Sequence, residues 1–295
     1  MTPLEYPCPA KLNLLLAVTG RRADGFHDLV SLVAPVEFGD TLAVAPAADF
    51  SLVCDAPGVP ADGTNLVLQA ARAFRAATGW AGGARFTLTK RIPPGAGLGG
   101  GSSDAAAALQ ALNALAGRPL AAGPLAAVAA GVGSDCALFL AGGPVVMRGR
   151  GEQVAGLAAA ARARLGGRRV LIFKPDFGVA TPWAYAQLAA AAPGGYLEPA
   201  RAEARLADLL GAAGAGAGLE GGLFNSLEPP VFRKYAALPA LLGQLRTRFG
   251  LAPRMSGSGS ACFALLPDGA PVAEIAARVR AAWGAAALVV ETRLA

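Results

Sequence analysis

The chain of 295 residues is long enough for one large or two modest domains, and its 54% hydrophobic content is sufficient for a packed core. A net charge of +6 admits an anionic ligand or a nucleic acid. The basic residues are scattered in ones and twos, however, which is typical of a solvated surface and excludes the basic stripe expected of a nucleic-acid-binding protein.

The first part of the chain predicts a mainly extended region with one helix. In residues 10–18, Lys11 and Asn13 alternate with three leucines, so a strand would place the polar side chains on one face and the leucines on the other. The helix is predicted to end at Gly79, because glycine readily takes the left-handed conformation of a helix C-terminus. The predicted elements are a strand at 10–18, a turn at 21–29, hairpin strands at 40–47 and 49–57, the helix at 64–79 and a strand at 84–92.

From residue 93 onward the pattern alternates between helices and strands. The predicted elements are a glycine-rich loop at 93–103, helical segments at 103–116, 124–133 and 136–143, strands at 144–151 and 168–176, helices at 182–192, 199–213 and 229–249, a glycine-serine turn that enters a strand at 255–267, a helix at 271–284 and a strand at 286–294. A low-complexity segment at 155–167 predicts a boundary between two domains, 1–160 and 168–295. These features favour an α+β or mixed two-domain architecture.

The stretch PPGAGLGGGSSDAAAAL, residues 93–109, is unusually rich in glycine immediately before a helix. Glycine loses more backbone freedom on folding than other residues, so its concentration here indicates that a ligand approaches the bare backbone. A strand, a glycine loop and a helix N-terminus in succession direct N–H groups and the positive end of the helix dipole at one point. The stretch therefore predicts a phosphate site.

Three other interpretations of this loop have to be weighed. Gly95, Gly97 and Gly100 match the dinucleotide pattern G-x-G-x-x-G, but two prolines interrupt the preceding strand and no acidic residue ends a second strand about 20 residues later. The Walker A pattern fails because no Gly-Lys-Ser/Thr follows the glycines. The third alternative is a structural turn in which Ser103 or Asp104 caps the helix.

The pattern P-x-x-x-G-L-G-G-G-S-S-D-A-A at residues 93–106 resembles the phosphate loop of the GHMP kinase superfamily. Four further segments are similar, in order and spacing, to motifs of one kinase family of the non-mevalonate isoprenoid pathway: PAKLNLLL (9–16), RRADGFHDL (21–29), GSDCALFL (133–140) and MSGSGSACF (255–263). The resemblance implies an α+β, two-domain GHMP kinase fold, with an N-terminal domain like ribosomal protein S5 domain 2 and a ferredoxin-like C-terminal domain.

The same resemblance implies ATP-dependent phosphorylation of the 2-hydroxyl of a cytidine diphosphate methylerythritol, which gives the 2-phosphate and ADP. Mg2+ is implied as well, because phosphoryl transfer from ATP needs a cation that bridges and neutralises the phosphate oxygens. Ser103 and Asp104 are candidate magnesium ligands, and neither is singled out. The expected partner is this small-molecule substrate, with no nucleic acid and no membrane, and the expected assembly is a monomer or a homodimer.

The resemblance assigns Asp135 as the catalytic base and Lys11 as its partner. A carboxylate within hydrogen-bond reach of the acceptor hydroxyl can take its proton as the γ-phosphoryl group transfers. A nearby ammonium keeps such a carboxylate ionised and balances developing negative charge. Without the resemblance, Asp135 would be interpreted as a helix cap and Lys11 as a strand lysine on a solvent-exposed face.

The resemblance also implies a substrate site. Asn13 shares the face of Lys11 by the two-residue period and is expected to help hold the substrate. The turn DGFHDL carries His27, which resembles a residue that recognises the cytosine edge, and Phe26, which offers a ring for stacking. Tyr185 would form the opposing wall of a cytosine sandwich. The alternatives are a surface position for His27 and a packing role for Tyr185 within its own domain.

Further contacts follow from the resemblance. Asn65 resembles a residue on the adenine side of ATP. Gly257 and Ser258 belong to a turn that is either a second anion site near the substrate diphosphate or simply the entry to a strand. The expected ATP contacts in the glycine loop are Pro93, Gly95, Gly97, Leu98, Gly99, Gly100, Gly101, Ser102 and Ser103.

The cysteine and hydropathy patterns bear on location. The four cysteines lack C-x-x-C spacing and a single histidine cannot complete a zinc set, so free thiols in a reducing cytosol are expected. No charged leader precedes an apolar core, and the apolar tracts are broken before they reach membrane-spanning length. We therefore expect a soluble, cytoplasmic protein.

Other functions remain open besides this kinase. One is a GHMP kinase for another small alcohol, such as homoserine or mevalonate. Another is a nicotinamide dinucleotide oxidoreductase built on the glycine pattern, and a third is a non-catalytic nucleotide sensor.

Overall fold

The computed structural model describes residues 3–192, 194–215 and 218–295. The chain divides into two compact units. Unit 1 comprises Met1–Ala10, Phe38–Pro94 and Gly99–Gly142, and unit 2 comprises Lys11–Glu37, Gly95–Leu98 and Gly143–Ala295. The predicted domain boundaries, 1–160 and 168–295, stay a prediction.

Strands and helices alternate along most of the described chain, as the sequence predicts. The strands are β1 (Leu4–Arg21), β2 (His27–Ala47), β3 (Ser51–Cys54), β4 (Gly83–Thr89), β5 (Val145–Arg148), β6 (Gln153–Gly156), β7 (Arg169–Lys174), β8 (Phe224–Asn225), β9 (Arg254–Met255), β10 (Cys262–Leu265) and β11 (Leu288–Arg293). The helices are α1 (Leu66–Thr78), α2 (Gly100–Leu115), α3 (Ala122–Val132), α4 (Ala159–Leu165), α5 (Thr181–Ala190), α6 (Pro199–Ala215), α7 (Glu228–Lys234), α8 (Ala237–Phe249) and α9 (Val272–Trp283), with short 3-10 helices at Ala137–Leu140 and Leu219–Gly222. Among the described residues, no helix has the length and apolar character needed to cross a lipid bilayer.

Unit 1 contains a sheet in which β4 lies between two other strands. β4 pairs in parallel with β3 and antiparallel with the C-terminal part of β2, where Thr41 lies opposite Thr89 and Ala47 opposite Gly83. The predicted hairpin of 40–47 with 49–57 is therefore wrong, because β4 separates β2 from β3.

Unit 2 contains a four-stranded antiparallel sheet in the order β11-β7-β10-β9. It also contains the parallel pair of β1 with β8, and an antiparallel arrangement in which β5 pairs with the N-terminal part of β2 and with β6. The sequence does not predict this N-terminal part of β2. Its residues 30–36 are all buried, so polar and apolar side chains do not alternate as they do in a strand with one exposed face.

The helix ends follow local sequence signals in α1 but not in the predicted helix at 229–249. Asn65 caps α1 by accepting a hydrogen bond from the N–H of Val67 at 2.9 Å, and Gly79 ends it with φ +67°, which confirms the predicted end. A single helix over 229–249 is wrong, because α7 and α8 occupy this stretch. Pro239 lies in the first turn of α8, where its missing N–H interrupts no helical hydrogen bond.

A buried ionic cluster in unit 1 joins the end of β4 to α2; this Lys90 cluster consists of Lys90, Asp40 and Asp104. The Lys90 ammonium donates to Asp104 Oδ2 at 2.8 Å and to a carboxylate oxygen of Asp40. The other oxygen of Asp40 accepts the backbone N–H groups of Arg91 and Ile92, at 2.5 and 2.7 Å. The three side chains are each at most 8% exposed. The cluster therefore fixes the chain where β4 leads into the glycine loop.

The Lys90 cluster contains two carboxyl groups for one ammonium. Burial raises the pKa of Asp104 to about 7, the attraction of Lys90 opposes this shift, and the repulsion of Asp40 adds to it. Burial, together with the same two carboxyl groups, raises the pKa of the Cys8 thiol well above its usual range. All four cysteines are free, which confirms the expectation of free thiols.

We expect Asp104→Asn to stabilise the protein at pH 8 and to have a smaller effect at pH 5. The pKa of Asp104 is raised on folding from 3.8 to about 7, so the unfolded chain releases this proton first and stability falls as the pH rises through that window. The amide mimics the neutral carboxyl and removes this loss. Thermal unfolding followed by circular dichroism at the two pH values measures the difference.

The matched control is Asp49→Asn, at an exposed carboxylate on a bend of unit 1. This variant should leave the unfolding temperature unchanged at both pH values. A loss of stability in Asp104→Asn that is equal at pH 5 and pH 8 would contradict the prediction, because the ionised pair with Lys90 would then outweigh burial.

Candidate active site

The first part of the glycine loop, Gly95–Leu98, lies in unit 2 against residues 255–261, which we call the Gly-Ser turn. Gly97 has φ +78°, and a Cβ atom there would lie 2.3 Å from the carbonyl oxygen of Ser256. The Ser256 hydroxyl also donates to the Gly97 carbonyl at 3.2 Å. Because no side chain fits at Gly97, the two backbone segments approach each other directly.

The second part of the glycine loop leads into α2, in unit 1. Gly99 occupies the N-cap with φ +73°, and no side chain caps the helix. The interpretation of Ser103 or Asp104 as the cap is therefore wrong, and α2 begins at Gly100 rather than near residue 103. The N–H groups of the first helical turn and the positive end of the helix dipole are left for an anion.

Ser103, one of the two candidate magnesium ligands, has a buried hydroxyl group. The residue is 1% exposed, and its hydroxyl has no hydrogen-bond partner within the described residues. A buried hydroxyl without a partner costs free energy that a phosphate oxygen or Mg2+ would recover. Asp104 is bound to Lys90 through Oδ2, and its Oδ1 also has no hydrogen-bond partner within the described residues. The described residues hold no group of three or more His, Cys, Asp or Glu that could bind a metal.

Asp135 lies on the turn that follows α3, in the same unit as α2. The N–H of Cys136 closes this turn by donating to the Gly133 carbonyl at 3.0 Å. A Cβ at Gly133 would lie 3.1 Å from Cys136 Sγ and 3.9 Å from Ser102 Oγ. The turn that carries Asp135 therefore contacts the first turn of α2. Cys136, not Asp135, is the N-cap of the following 3-10 helix, so the interpretation of Asp135 as a helix cap is wrong.

Lys11 and Asn13 share one face of β1 in unit 2, as the two-residue period predicts. The Lys11 ammonium donates to Asn13 Oδ1 at 2.6 Å, and the Asn13 amide donates to the Ser31 hydroxyl at 2.9 Å. Lys11 is only 5% exposed, so the alternative of a solvent-facing lysine is wrong. A Cβ at Gly257 would lie 3.3 Å from Lys11 Nζ and 3.4 Å from Asn13 Oδ1. The Gly-Ser turn therefore borders this buried polar face.

His27 lies beside two tyrosine rings at the start of β2. Its ring centroid is 4.9 Å from that of Tyr185 and 5.9 Å from that of Tyr196. Burial, with the charge of Arg21, lowers the pKa of His27, so the ring is neutral at pH 7. Its Nε2 is buried without a partner in the part of the chain that the structure describes. The sequence carries no motif that could have marked Tyr196.

Two other predicted residues have contacts within the protein. Phe26 is 53% exposed, and the Arg150 guanidinium lies 5.1 Å from its ring centroid, as in a cation–π pair. The cytosine sandwich of Phe26 with Tyr185 stays a prediction. Asn65 uses its oxygen to cap α1 and its amide to donate to the Pro60 carbonyl at 2.7 Å. Its predicted contact with adenine also stays a prediction.

Two family descriptions match separate parts of the chain. The description "GHMP kinases N terminal domain" matches residues 65–143, and "GHMP kinases C terminal" matches residues 204–285. Together they confirm the predicted two-domain GHMP kinase fold.

Proteins with similar sequences agree with this assignment. A 4-diphosphocytidyl-2-C-methyl-D-erythritol kinase of Synechococcus sp. strain CC9311 is 42% identical over 279 residues, which cover 90% of this chain and 87% of that protein. A protein of the same name from Bordetella pertussis strain Tohama I is 40% identical over 271 residues, which cover 90% of this chain and 83% of that protein.

Solved structures extend the comparison to three dimensions. A crystal structure of 4-(cytidine 5'-diphospho)-2C-methyl-D-erythritol kinase matches with a TM-score of 0.79 and 36% identity, covering 99% of this chain and 100% of the other. Homoserine kinase from Cytophaga hutchinsonii matches with a TM-score of 0.77 but 18% identity, covering 100% and 95%, and shows the common fold alone. The chain thus belongs to the GHMP kinases and, within them, to the 4-diphosphocytidyl-2-C-methyl-D-erythritol kinase family.

Proposed function

We propose that this chain transfers the γ-phosphoryl group of ATP to the 2-hydroxyl of 4-diphosphocytidyl-2-C-methyl-D-erythritol, giving the 2-phosphate and ADP. Relatives of that name at 42% and 40% identity support the choice of substrate. Within the chain, the proposal is carried by the proximity of Gly133 to Ser102, because Gly133 lies in the turn with Asp135 and Ser102 lies in the first turn of α2. Phosphoryl transfer to an alcohol requires a phosphate-binding group beside a carboxylate of this kind.

Asp135 would take the proton of the acceptor hydroxyl. A tertiary alcohol is a weak nucleophile, so a carboxylate within hydrogen-bond reach lowers the barrier by accepting that proton as the phosphoryl group transfers. Lys11 would keep Asp135 ionised and balance the negative charge that develops. This pairing rests on the family resemblance. Asn13, bonded to the Lys11 ammonium at 2.6 Å, would hold that ammonium in one direction.

The N–H groups in the first turn of α2, together with the Ser102 and Ser103 hydroxyls, would bind phosphate oxygens. ATP would supply the phosphoryl group, and bound Mg2+ would neutralise the charge of its phosphates. Ser103 would be the protein ligand of that ion, since its buried hydroxyl otherwise lacks a partner among the described residues. The loop glycines would let the backbone come close to the phosphates.

His27 would recognise the cytosine base. Its neutral ring offers the buried Nε2 for a hydrogen bond to the edge of the base. Tyr185 and Phe26 would provide ring faces for stacking. The Gly-Ser turn would contact the substrate diphosphate through Gly257 and Ser258.

We further propose that the enzyme works in the cytoplasm, as a monomer or a homodimer and without nucleic acid. Free thiols at all four cysteines support a reducing compartment. The scattered basic residues offer no stripe for a nucleic-acid backbone.

A panel of alcohols tests the function. We expect the purified protein to release ADP and phosphorylate 4-diphosphocytidyl-2-C-methyl-D-erythritol. The kcat/KM for homoserine and mevalonate should be lower by about 100-fold or more, because neither alcohol carries a cytosine that could form hydrogen bonds in the cytosine site. Coupled ADP detection and phosphorus NMR of the product measure both. Turnover of homoserine or mevalonate alone would contradict the substrate, and nicotinamide dinucleotide reduction without ADP release would contradict the kinase.

Asp135→Asn should lower kcat by about 10²–10⁴-fold, the usual contribution of a general base. The affinity for ATP should change little, because the amide occupies the same space and only the proton transfer is lost. Asp208→Asn, at an exposed carboxylate of α6, is the matched control and should behave as the wild type. A variant that binds ATP poorly but turns over normally once bound would remove Asp135 from the role of base.

Gly97→Ala should weaken ATP binding by about tenfold or more, because the new Cβ meets a carbonyl oxygen at 2.3 Å and the positive φ disfavours a side chain. The matched control is Gly243→Ala in α8, where a Cβ meets nothing within 4 Å. Isothermal titration with ATP, on protein with native circular dichroism, measures the affinity. Unchanged affinity in folded Gly97→Ala would show that the loop does not hold the nucleotide.

A further inference from the structure

The Gly-Ser turn is held by Asn225, the last residue of β8, and by Glu228, both in unit 2. Asn225 is 2% exposed, and its side-chain amide donates to two carbonyl oxygens of the turn, those of Met255 at 2.7 Å and Gly257 at 2.8 Å. Its Oδ1 accepts the backbone N–H of Leu227 at 2.8 Å. Both amide hydrogens and the oxygen therefore have partners, which fixes the orientation of the side chain.

The bond from Asn225 to Gly257 sets the direction of the next peptide group. A trans peptide is planar, with its C=O and N–H pointing in opposite directions. Since the Gly257 carbonyl is turned towards Asn225, the N–H of Ser258 points away from it. Within the described residues, this N–H donates to no backbone carbonyl. It is left to bind a ligand.

The same turn contacts residues of the predicted active site in unit 2. The Ser256 hydroxyl accepts the N–H of Asn13 at 3.3 Å and donates to the carbonyl of Gly97 at 3.2 Å. A Cβ at Gly257 would lie 3.3 Å from Lys11 Nζ. A change in the backbone direction of the turn would therefore alter the surroundings of the Lys11 ammonium.

A neighbouring carboxylate supports the turn from its other end. Glu228 is 8% exposed, and its Oε1 accepts the N–H of Met255 at 2.9 Å, while Oε2 pairs with Arg254 at 3.2 Å. Asn225 and Glu228 thus bind the C=O and the N–H of the same residue, Met255. These bonds fix the start of the turn at Met255. The bond from Asn225 to the Gly257 carbonyl also fixes the backbone two residues later.

We propose that Asn225 is a positioning residue for phosphoryl transfer. It holds the Gly-Ser turn so that the N–H of Ser258 faces an anionic group of the substrate, beside Lys11 and Asn13. Asn225 acts only through the backbone of the turn. The identity of the anion as a substrate phosphate rests on the proposed function, whereas the geometry of the turn does not.

Asn225→Asp is the sharpest test. The new side chain has nearly the same volume and keeps an acceptor for Leu227, but an ionised carboxylate repels both carbonyl oxygens. We expect kcat/KM for the alcohol to fall by about 30-fold or more, from two lost hydrogen bonds, and the affinity for ATP to change by less than about threefold. Protonation lets the introduced carboxyl donate one bond, so the ratio of variant to wild-type kcat should increase from pH 9 to pH 6.

Two companion variants separate positioning from stability. Ser226→Ala removes a buried hydrogen bond from the same segment, where the hydroxyl accepts the N–H of Val18 at 3.0 Å, but leaves the turn untouched. It should lower the unfolding temperature and leave the kinetics unchanged. Asn225→Ser removes both donors without adding a charge, so it tests the proposal if Asn225→Asp does not fold. It should lower kcat/KM with the pH dependence of the wild type.

Kinetics of Asn225→Asp and Asn225→Ser that match those of Ser226→Ala would overturn the proposal, as would an equal loss of ATP affinity. The proposed function is judged separately, on the wild type. If the wild type prefers another alcohol, the variants are compared on that alcohol. If it phosphorylates none, nitrogen-proton NMR with inorganic pyrophosphate decides: the Ser258 amide should shift in the wild type and in Ser226→Ala but not in Asn225→Asp, and equal shifts in all three would overturn the proposal.

Discussion

A side chain at Gly97 would collide with the carbonyl of Ser256, and the candidate site in unit 2 depends on this close approach. It lets the glycine loop and the Gly-Ser turn meet backbone to backbone. Other glycines of the loop have different reasons. Gly95 has φ +63° with open space around it, and Gly100 lies where a Cβ would meet the Ile92 side chain at 3.0 Å. The glycines therefore serve packing and backbone conformation inside the protein, besides the ligand approach inferred from sequence.

Each unit contains a buried ammonium group. In unit 1, Lys90 binds two carboxyl groups where β4 leads into the glycine loop; in unit 2, Lys11 donates to Asn13 beside Gly257. An unpaired buried charge would cost several kcal/mol, so each ammonium is tied to its partners and each partner to a fixed backbone. These bonds thus hold the end of β4 and the N-terminal part of β1 in defined positions, each within its own unit.

The sequence predicts elements that are formed by neighbouring residues, and it does not predict contacts between residues that are far apart in the chain. The end of α1 follows from Gly79, and the shared face of Lys11 and Asn13 follows from the strand period. The hairpin failed because pairing depends on β4, which comes later in the chain. Asp40 lies 50 residues from Lys90 in the sequence, so no local pattern predicts their contact.

Asn225 belongs to no motif because the role that we propose for it is to bind and orient backbone groups. Every residue except proline carries an N–H, so a sequence cannot tell which of them will face a ligand; what matters is the group that fixes the peptide plane. In α2 the helix itself fixes those planes after Gly99, whereas at Ser258 a side chain must bind the preceding carbonyl. A carbonyl oxygen can only accept a hydrogen bond, and an ionised carboxylate has no hydrogen to donate. A carboxylate of the same size therefore cannot replace the amide of Asn225. Some side chains bind backbone carbonyls next to a site. At such a position, replacing a hydrogen-bond donor by an acceptor of the same shape is therefore enough to affect the reaction.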